Sequence, residues 1–398
     1  MASPVDTSVK FFHSNMVNAS TLNGVAGSLL SILDACLVDG FDLKNATSLV
    51  VAGGIATLSF SGTHSAEKDS VILVSGSSIS ALNGEQKVLN KTATAVTFTT
   101  AAADGAASGT ITFKMAPLGW TKQFSGTNVA VYKSSAVDAL GHMLRVDDTG
   151  TTFARVVGYE SMSDVNSGTG QFPTAAQVAG GGYWTKSSAA NATANRWFVA
   201  GDSKFFMIHF CPYLGAGTVF QGVTRGFGDI IAYRSSGDAF ACVLNYSNTS
   251  SLANQYLEGF DSANNATGVA SAMPRGYTGI GGAALFSCYP FVGLTSAISG
   301  ADVTLGTFPS YIDGTLRLSK KFFALTASGD PPRGELPGLH HCSQSGTSLT
   351  FPFGTRTTGS GQLNGRNLFS LNPAGTWGAA ITIGNTGASF VDVTGPWR

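Results

Sequence analysis

Ser48-Leu49-Val50-Val51-Ala52-Gly53-Gly54-Ile55-Ala56-Thr57-Leu58-Ser59-Phe60 is the stretch from which the fold is read. It is an apolar and alternating run, broken only by Gly53-Gly54, and it opens a series. Ser70–Ser75, Gln86–Leu89, Ala95–Thr100 and Thr110–Met115 are further short apolar or alternating runs. Ser-Gly-Ser-Ser, Asn-Gly and Asp-Gly punctuation separates them. A period of two turns one side of each strand toward a core. Five such strands in about 70 residues predict a small antiparallel barrel or sandwich. The pair Asn83-Gly84 predicts a type I′ hairpin, whose two central residues both need positive φ. Pro117 to Trp120 reads as the boundary that closes the unit.

Upstream, Val25, Leu29, Leu33 and Leu37 fall on one stripe four residues apart, joined by Leu30 and Ile32. This predicts a helix over 23–37, stopped by Gly40, within an N-terminal docking segment, 1–45. Downstream the chain stays β-rich. Strands are expected at Val129–Tyr132, His142–Val146, Phe153–Tyr159, Arg196–Ala200, Lys204–Phe210, Asp229–Tyr233, Ala239–Tyr246 and Ala283–Phe291. Further ones are expected at Leu316–Leu318, Phe322–Leu325, Ala379–Ile383 and Ser389–Val393. Asn166–Ala190, Leu214–Gly226, Asn248–Gly282 and Ser328–Gly365 read as long loops rich in Gly, Ser, Thr and Asn. Loops of that length usually bind something or pack on a neighbour. Residues 300–305 and 366–371 read equally as strands or connections. The expected fold is therefore all-β. A small barrel or sandwich module, 46–118, precedes a larger β-sandwich-like domain, 119–398, of one or two subdomains.

The chain has 398 residues, with 23 Lys+Arg against 23 Asp+Glu. Zero net charge gives no electrostatic footprint for a phosphate backbone, so nucleic acid is not an expected partner. Hydrophobics make up 43%, which excludes a disordered chain. Charged residues are only 12%, against about 25% in ordinary soluble domains. A surface so poor in charge is expected to be covered by other subunits. Cys36, Cys211, Cys242, Cys288 and Cys342 are odd in number and widely spaced, so buried free thiols are expected. Met1–Asp6 opens no secretory signal pattern, and Val25–Val38 is too short and too interrupted to span a membrane.

The order of motifs from residue 50 to 114 resembles a small β-module that recurs in structural proteins of tailed bacteriophages. The matching pieces are Val50–Phe60, Gly62-Thr63-His64, Asp69–Gly76, Leu82-Asn83-Gly84 through Val88, Ala95–Phe98 and Ser108–Thr112. Ser65 stands where that pattern has a Gly after its His, and Lys68 replaces the Gly before Asp69. Val9–Ser14, Ala26–Leu30, Leu144–Thr151, Arg155–Met162 and the closing Asp392–Arg398 also look like virion structural proteins of tailed phages. The resemblance implies a non-enzymatic component of the particle, tail- or baseplate-associated, or alternatively a capsid decoration or head-fibre protein. It implies copies of itself and other virion proteins as partners, a virion location after assembly in the host bacterial cytoplasm, and no cofactor.

Candidate chemistry is sparse. Asp148-Thr149-Gly150 follows an apolar strand as the catalytic Asp of aspartic proteases does, but it has no second copy; it reads as a hairpin turn. Gly201-Asp202-Ser203 has an esterase-like nucleophile pattern without the α/β setting or an Asp-x-x-His partner, and it too reads as a turn. His340-His341-Cys342, with Cys211 or His209, offers metal-type donors, but adjacent side chains diverge in extended chain. His209, in an apolar strand, reads as a hydrogen-bonded core histidine. The Gly180–Gly182 and Gly279–Gly282 stretches lack the strand-to-helix context of a phosphate loop. Tyr183, Trp184, Trp197 and Tyr213 fit either a glycan-stacking site, as in a host-attachment adhesin, or buried interface anchors. No catalytic, cofactor or metal residue is therefore expected.

Overall fold

In the computed structural model the described residues are 3–212, 222–250, 260, 269–290, 305–325, 331–371 and 387–398. The expected strand Ala379–Ile383, most of 300–305, and Tyr213 lie outside them. The protein is all-β: a closed six-strand antiparallel barrel, large antiparallel sheets and one 12-residue helix.

The barrel runs through Lys44–Ala52, Ile55–Phe60, Val71–Ser75, Gly84–Lys91, Ala95–Thr99 and Thr112–Met115. Its ring closes because Lys44–Ala52 pairs with both Ile55–Phe60 and Thr112–Met115. Burial alternates as the sequence pattern requires, so Ala56, Leu58, Phe60, Val96, Phe98, Phe113 and Met115 point inward. Phe60 stacks on Phe113 with ring centroids 4.6 Å apart.

Two local expectations are corrected. Ser48–Phe60 is not one strand but a hairpin: Ala52 faces Ile55, and Gly53 and Gly54 have φ of 58° and 74°. The type I′ geometry expected at Asn83-Gly84 therefore occurs at Gly53-Gly54. Asn83 itself is extended, with φ −82°, after a short 3₁₀ turn. Its side chain instead bonds both the amide and the carbonyl of Ser77.

The helix spans Ser28–Leu33 in α form and continues to Asp39 with wider, π-type turns. It starts five residues later than the apolar stripe suggests, because Gly27 has a φ of 81° and Val25 is exposed. Leu29, Ile32, Leu33, Cys36 and Leu37 are fully buried.

The body is an 18-stranded antiparallel array. Residues 10–13 belong to it, because Lys10–His13 pairs with Arg196–Gly201. Phe11 and Phe198 from these strands meet Phe369 from the C-terminal part, each at 5.2 Å, which closes the sandwich. Its centre is Phe205–Cys211, Val223–Asp229, Cys242–Ser247 and Val269–Met273, consecutive neighbours with every residue buried.

That double burial explains the main sequence errors. Leu214–Gly226 was expected to be loop but includes the first residues of Val223–Asp229, and Asn248–Gly282 includes Val269–Met273. Ser328–Gly365 includes the nine-residue strand Gly334–Cys342. Strands covered on both faces lose the period of two, and their Gly, Ser and Thr imitate loop composition. Conversely, Asp229–Tyr233 reduces to Ile231–Ala232, and 366–371 contains the strand Asn367–Ser370.

Barrel and body are joined by polar contacts. Arg356 lies 2.8 Å from Glu67 and 3.4 Å from Asp69, with its guanidinium over Phe369 at 4.6 Å. Lys10 pairs with Glu85 at 3.1 Å, and Lys87 donates to the carbonyls of Val393 and Thr394. Burial alone raises the pKa of Glu67, but His13 and Arg356 outweigh it and hold the carboxyl at about 2. A depressed carboxyl stabilises the fold above its unfolded value near 4.5, and that contribution fades as pH falls toward 2. We expect Glu67→Gln to lower stability at pH 7 by about 1–3 kcal/mol and to flatten this acid limb. Denaturant unfolding from pH 7 to 2 reads both effects; an unchanged limb would count against the clamp.

Candidate functional site

The residues singled out in the sequence fall in different places. Asp148 does sit in the hairpin between Met143–Asp147 and Phe153–Tyr159. Its side chain, however, turns inward and is fully buried. One oxygen accepts the amides of Leu29 at 2.8 Å and Leu30 at 3.4 Å; the other pairs with the fully buried ammonium of Lys186. Lys186 also donates to the Val25 carbonyl at 2.7 Å. Asp148 thus caps the helix from outside it, where Gly27 gives no side-chain cap. Burial pushes the Asp148 carboxyl up and the Lys186 ammonium down, while their mutual bond opposes both shifts.

Asp202 is a turn former. Its Oδ1 accepts the amides of Lys204 and Phe205, both at 2.8 Å, and its Oδ2 pairs with Arg398 at 2.8 Å. His209 is fully buried, bonded to the Thr224 hydroxyl at 2.9 Å and held near pKa 3 by burial and by Arg225. His340 and His341 are successive residues of the strand Gly334–Cys342, where side chains alternate in direction. His340 lines a cleft, while His341 is fully buried. All five cysteines are buried thiols outside any disulfide, and burial raises the Cys36, Cys211, Cys242 and Cys342 thiols.

Among the described residues, Tyr183, Trp184 and Trp197 do not form a shared stacking platform. Trp184 and Trp197 are buried, their indole N–H groups donating to Asn245 and Ser20 carbonyls at 2.8 and 3.0 Å. The half-buried Tyr183 ring is covered by Arg155 at 3.8 Å. Burial of the two indoles leaves neither an exposed face on which a sugar could stack.

Two clefts among the described residues bear on these side chains. The first, about 890 Å³, has His340 and Trp397 in its lining. Its charges are paired across it: Asp313 with Arg317, Glu335 with Lys320 and Asp392 with Arg366. Burial, then the Lys320 charge, hold His340 near pKa 4, so it is neutral at pH 7. The second, about 590 Å³, is bordered by Leu140, Asp238, Phe240 and Tyr277.

Beside the second cleft the chain gathers His142, Asp229 and Cys242, three residues the sequence reading did not join. One donor atom from each lies within 4.8 Å of the others, and all three residues are buried. Asp229 ends the strand Val223–Asp229, and Cys242, its register partner, begins Cys242–Ser247. Gly228, with φ 135°, precedes Asp229; a Cβ there would lie 2.2 Å from the Lys204 carbonyl oxygen, so only glycine fits. No fixed spacing marks such a trio, so only the β-register reveals it.

No protein-family model matches the chain, and no curated protein sequence matches it significantly.

Removing the Asp148 charge should expose how much the core relies on it. We expect Asp148→Asn to lower unfolding free energy by about 3–5 kcal/mol, since Lys186 is then a buried charge without its counter-ion. Asp148→Leu combined with Lys186→Met should recover most of that loss. A double-mutant cycle in denaturant with no coupling between the two positions would contradict the geometry.

Proposed function

We propose that this chain is a non-enzymatic structural component of a tailed-bacteriophage particle, tail- or baseplate-associated, acting by assembly with copies of itself and other virion proteins. The observation that carries this reading is the uneven charge at the two ends of the large sheet. The strand pairings Phe210 with Val223, Ser247 with Val269, Pro290 with Lys321 and Cys342 with Ala388 define one end. The connections that start from it are residues 212–222, 248–268, 291–317, 343–355 and 371–387. Their sequences carry Glu258, Asp261, Asp302, Asp313 and Arg317 as their only charges. The opposite end holds Arg234, Asp238, Arg275 and Arg333, with Arg333 paired to Asp238 at 2.7 Å.

Connections so poor in charge have little to desolvate when a partner covers them. Leu349, on the short helix Thr347–Thr350 at that end, is 45% exposed. Tyr311 and Ile312, in the 291–317 connection, and Val137 and Ile280 elsewhere stand almost fully exposed. Isolated apolar tips of this kind suit contacts with neighbours. The tail preference rests on the resemblance of the barrel module.

The protein should appear in purified particles at a fixed copy number by quantitative mass spectrometry; its absence there would remove the proposal. Leu349→Glu should cut incorporation at least about tenfold, the equivalent of about 1.4 kcal/mol per contact, while leaving the thermal midpoint of the isolated protein unchanged. Normal incorporation of that variant would move the contact away from this end.

A further inference from the structure

We propose that His142, Asp229 and Cys242 form a binding site for one divalent transition-metal ion of the zinc class, which ties the loop before Met143–Asp147 to the central strands. The inference is independent of any role in a particle.

Three observations meet at this point. The first is geometric: three donors of different chemistry, brought from three chain segments, lie within 4.8 Å of one another. The second is an unanswered polar atom. His142 is 6% exposed, and its Nδ1 is buried without a hydrogen-bond partner. A buried ring nitrogen left unpaired is unfavourable, and an ion that accepts its lone pair removes that penalty. The third is support around the donors. Leu140 donates its amide to Asp229 Oδ2 at 2.9 Å, and the Gly228 amide reaches the Cys242 thiol. Arg398 binds the Asp229 carbonyl at 2.7 Å, and Phe172 meets the His142 ring edge-on at 5.9 Å. Outer contacts of this kind orient metal ligands and fix their direction.

The donor set selects the ion. One imidazole nitrogen, one carboxylate oxygen and one thiolate sulfur suit zinc and cobalt(II), whereas calcium and magnesium want oxygen alone. On binding, Cys242 releases its proton to solvent, so the thiolate and the Asp229 carboxylate bring two negative charges against the two positive charges of the ion. The complex is then neutral, as a buried site requires. Three protein donors leave the fourth tetrahedral position to water. Cys242 is completely buried, which argues against the same trio working as a cysteine nucleophile with a His–Asp relay.

The test uses the full-length protein purified without chelator. Elemental analysis should find about one zinc per chain. Exchange into cobalt(II) should give a thiolate-to-metal charge-transfer band in the near ultraviolet and the visible bands of tetrahedral cobalt. Cys242→Ser should abolish the charge-transfer band, and His142→Gln should remove stoichiometric metal. His340→Gln, in the other cleft, should change neither. Chelation should lower the thermal midpoint of the wild type, and zinc should restore it. Metal-free protein that shows no cobalt bands and no response of its midpoint to zinc or chelator would overturn the site. Stoichiometric metal that survives both Cys242→Ser and His142→Gln would overturn it as well. The wild-type measurements decide the matter even if a variant fails to fold.

Discussion

The buried pair of Asp148 and Lys186 is the interaction on which the body's organisation turns. Neither side chain touches solvent, and taking two ions out of water costs several kcal/mol each. That penalty is offset only if every remaining bond of both groups is made. Asp148 therefore also accepts the first helical amides, and Lys186 also donates to Val25. Four chain segments meet there: the turn before the helix, the helix start, the 147–153 hairpin and the segment after Gly182–Thr185. The far end of the helix repeats the arrangement more weakly. Asp34 accepts the Tyr132 hydroxyl at 2.8 Å and Lys122 at 2.5 Å, and the Leu118 amide bonds to the Cys36 carbonyl. A short helix with few intrinsic caps is thus held at both ends by the sheet, and through Leu118 it fixes where the chain passes from barrel to body.

The barrel was readable in the sequence because its strands face water on one side. Ala56, Leu58 and Phe60 alternate with half-buried Ile55, Thr57 and Ser59, and that alternation is a signal in residue type. The centre of the body was not readable in the same way. Val223-Thr224-Arg225-Gly226-Phe227-Gly228-Asp229 is buried throughout, yet two glycines, a threonine and two charges give it the composition of a loop. Polar groups across these central strands are satisfied sideways: Arg225 bonds to Ser247 at 2.8 Å, and in the next strand Asn245 bonds to Ser271 at 3.0 Å. Cross-strand polar pairing depends on register, and register cannot be read from one strand alone.

The same limit governs the candidate sites. A motif is visible when its chemistry lies in consecutive residues, which is why Asp148-Thr149-Gly150 and His340-His341-Cys342 stood out. In the fold the first is a helix cap and the second diverges across a strand. His142, Asp229 and Cys242 come together only because Val223–Asp229 and Cys242–Ser247 pair with Asp229 opposite Cys242, and because the Leu140 amide holds that corner in place. What folding supplies here is the register, and a search by spacing has no access to it.

The low charge takes on a sharper meaning in this light. A 12% charged composition would already leave a surface poor in ions. Among the described residues, eleven charged side chains are buried, including Asp148, Lys186, Arg225, Asp229, Lys321 and Arg333. The surface is therefore poorer still than the composition implies. Exposed charges pair at the barrel clamp and in the first cleft, while the Arg333–Asp238 pair at one end of the sheet is itself buried. Ion pairs at those places fix internal joints, and the connections at the other end carry four acidic residues and one arginine. Low charge in this chain is thus an uneven allotment: ions where the chain must hold itself together, and few in the sequences of the connections that leave one end of the sheet, where covering by a neighbour would have to remove them from water.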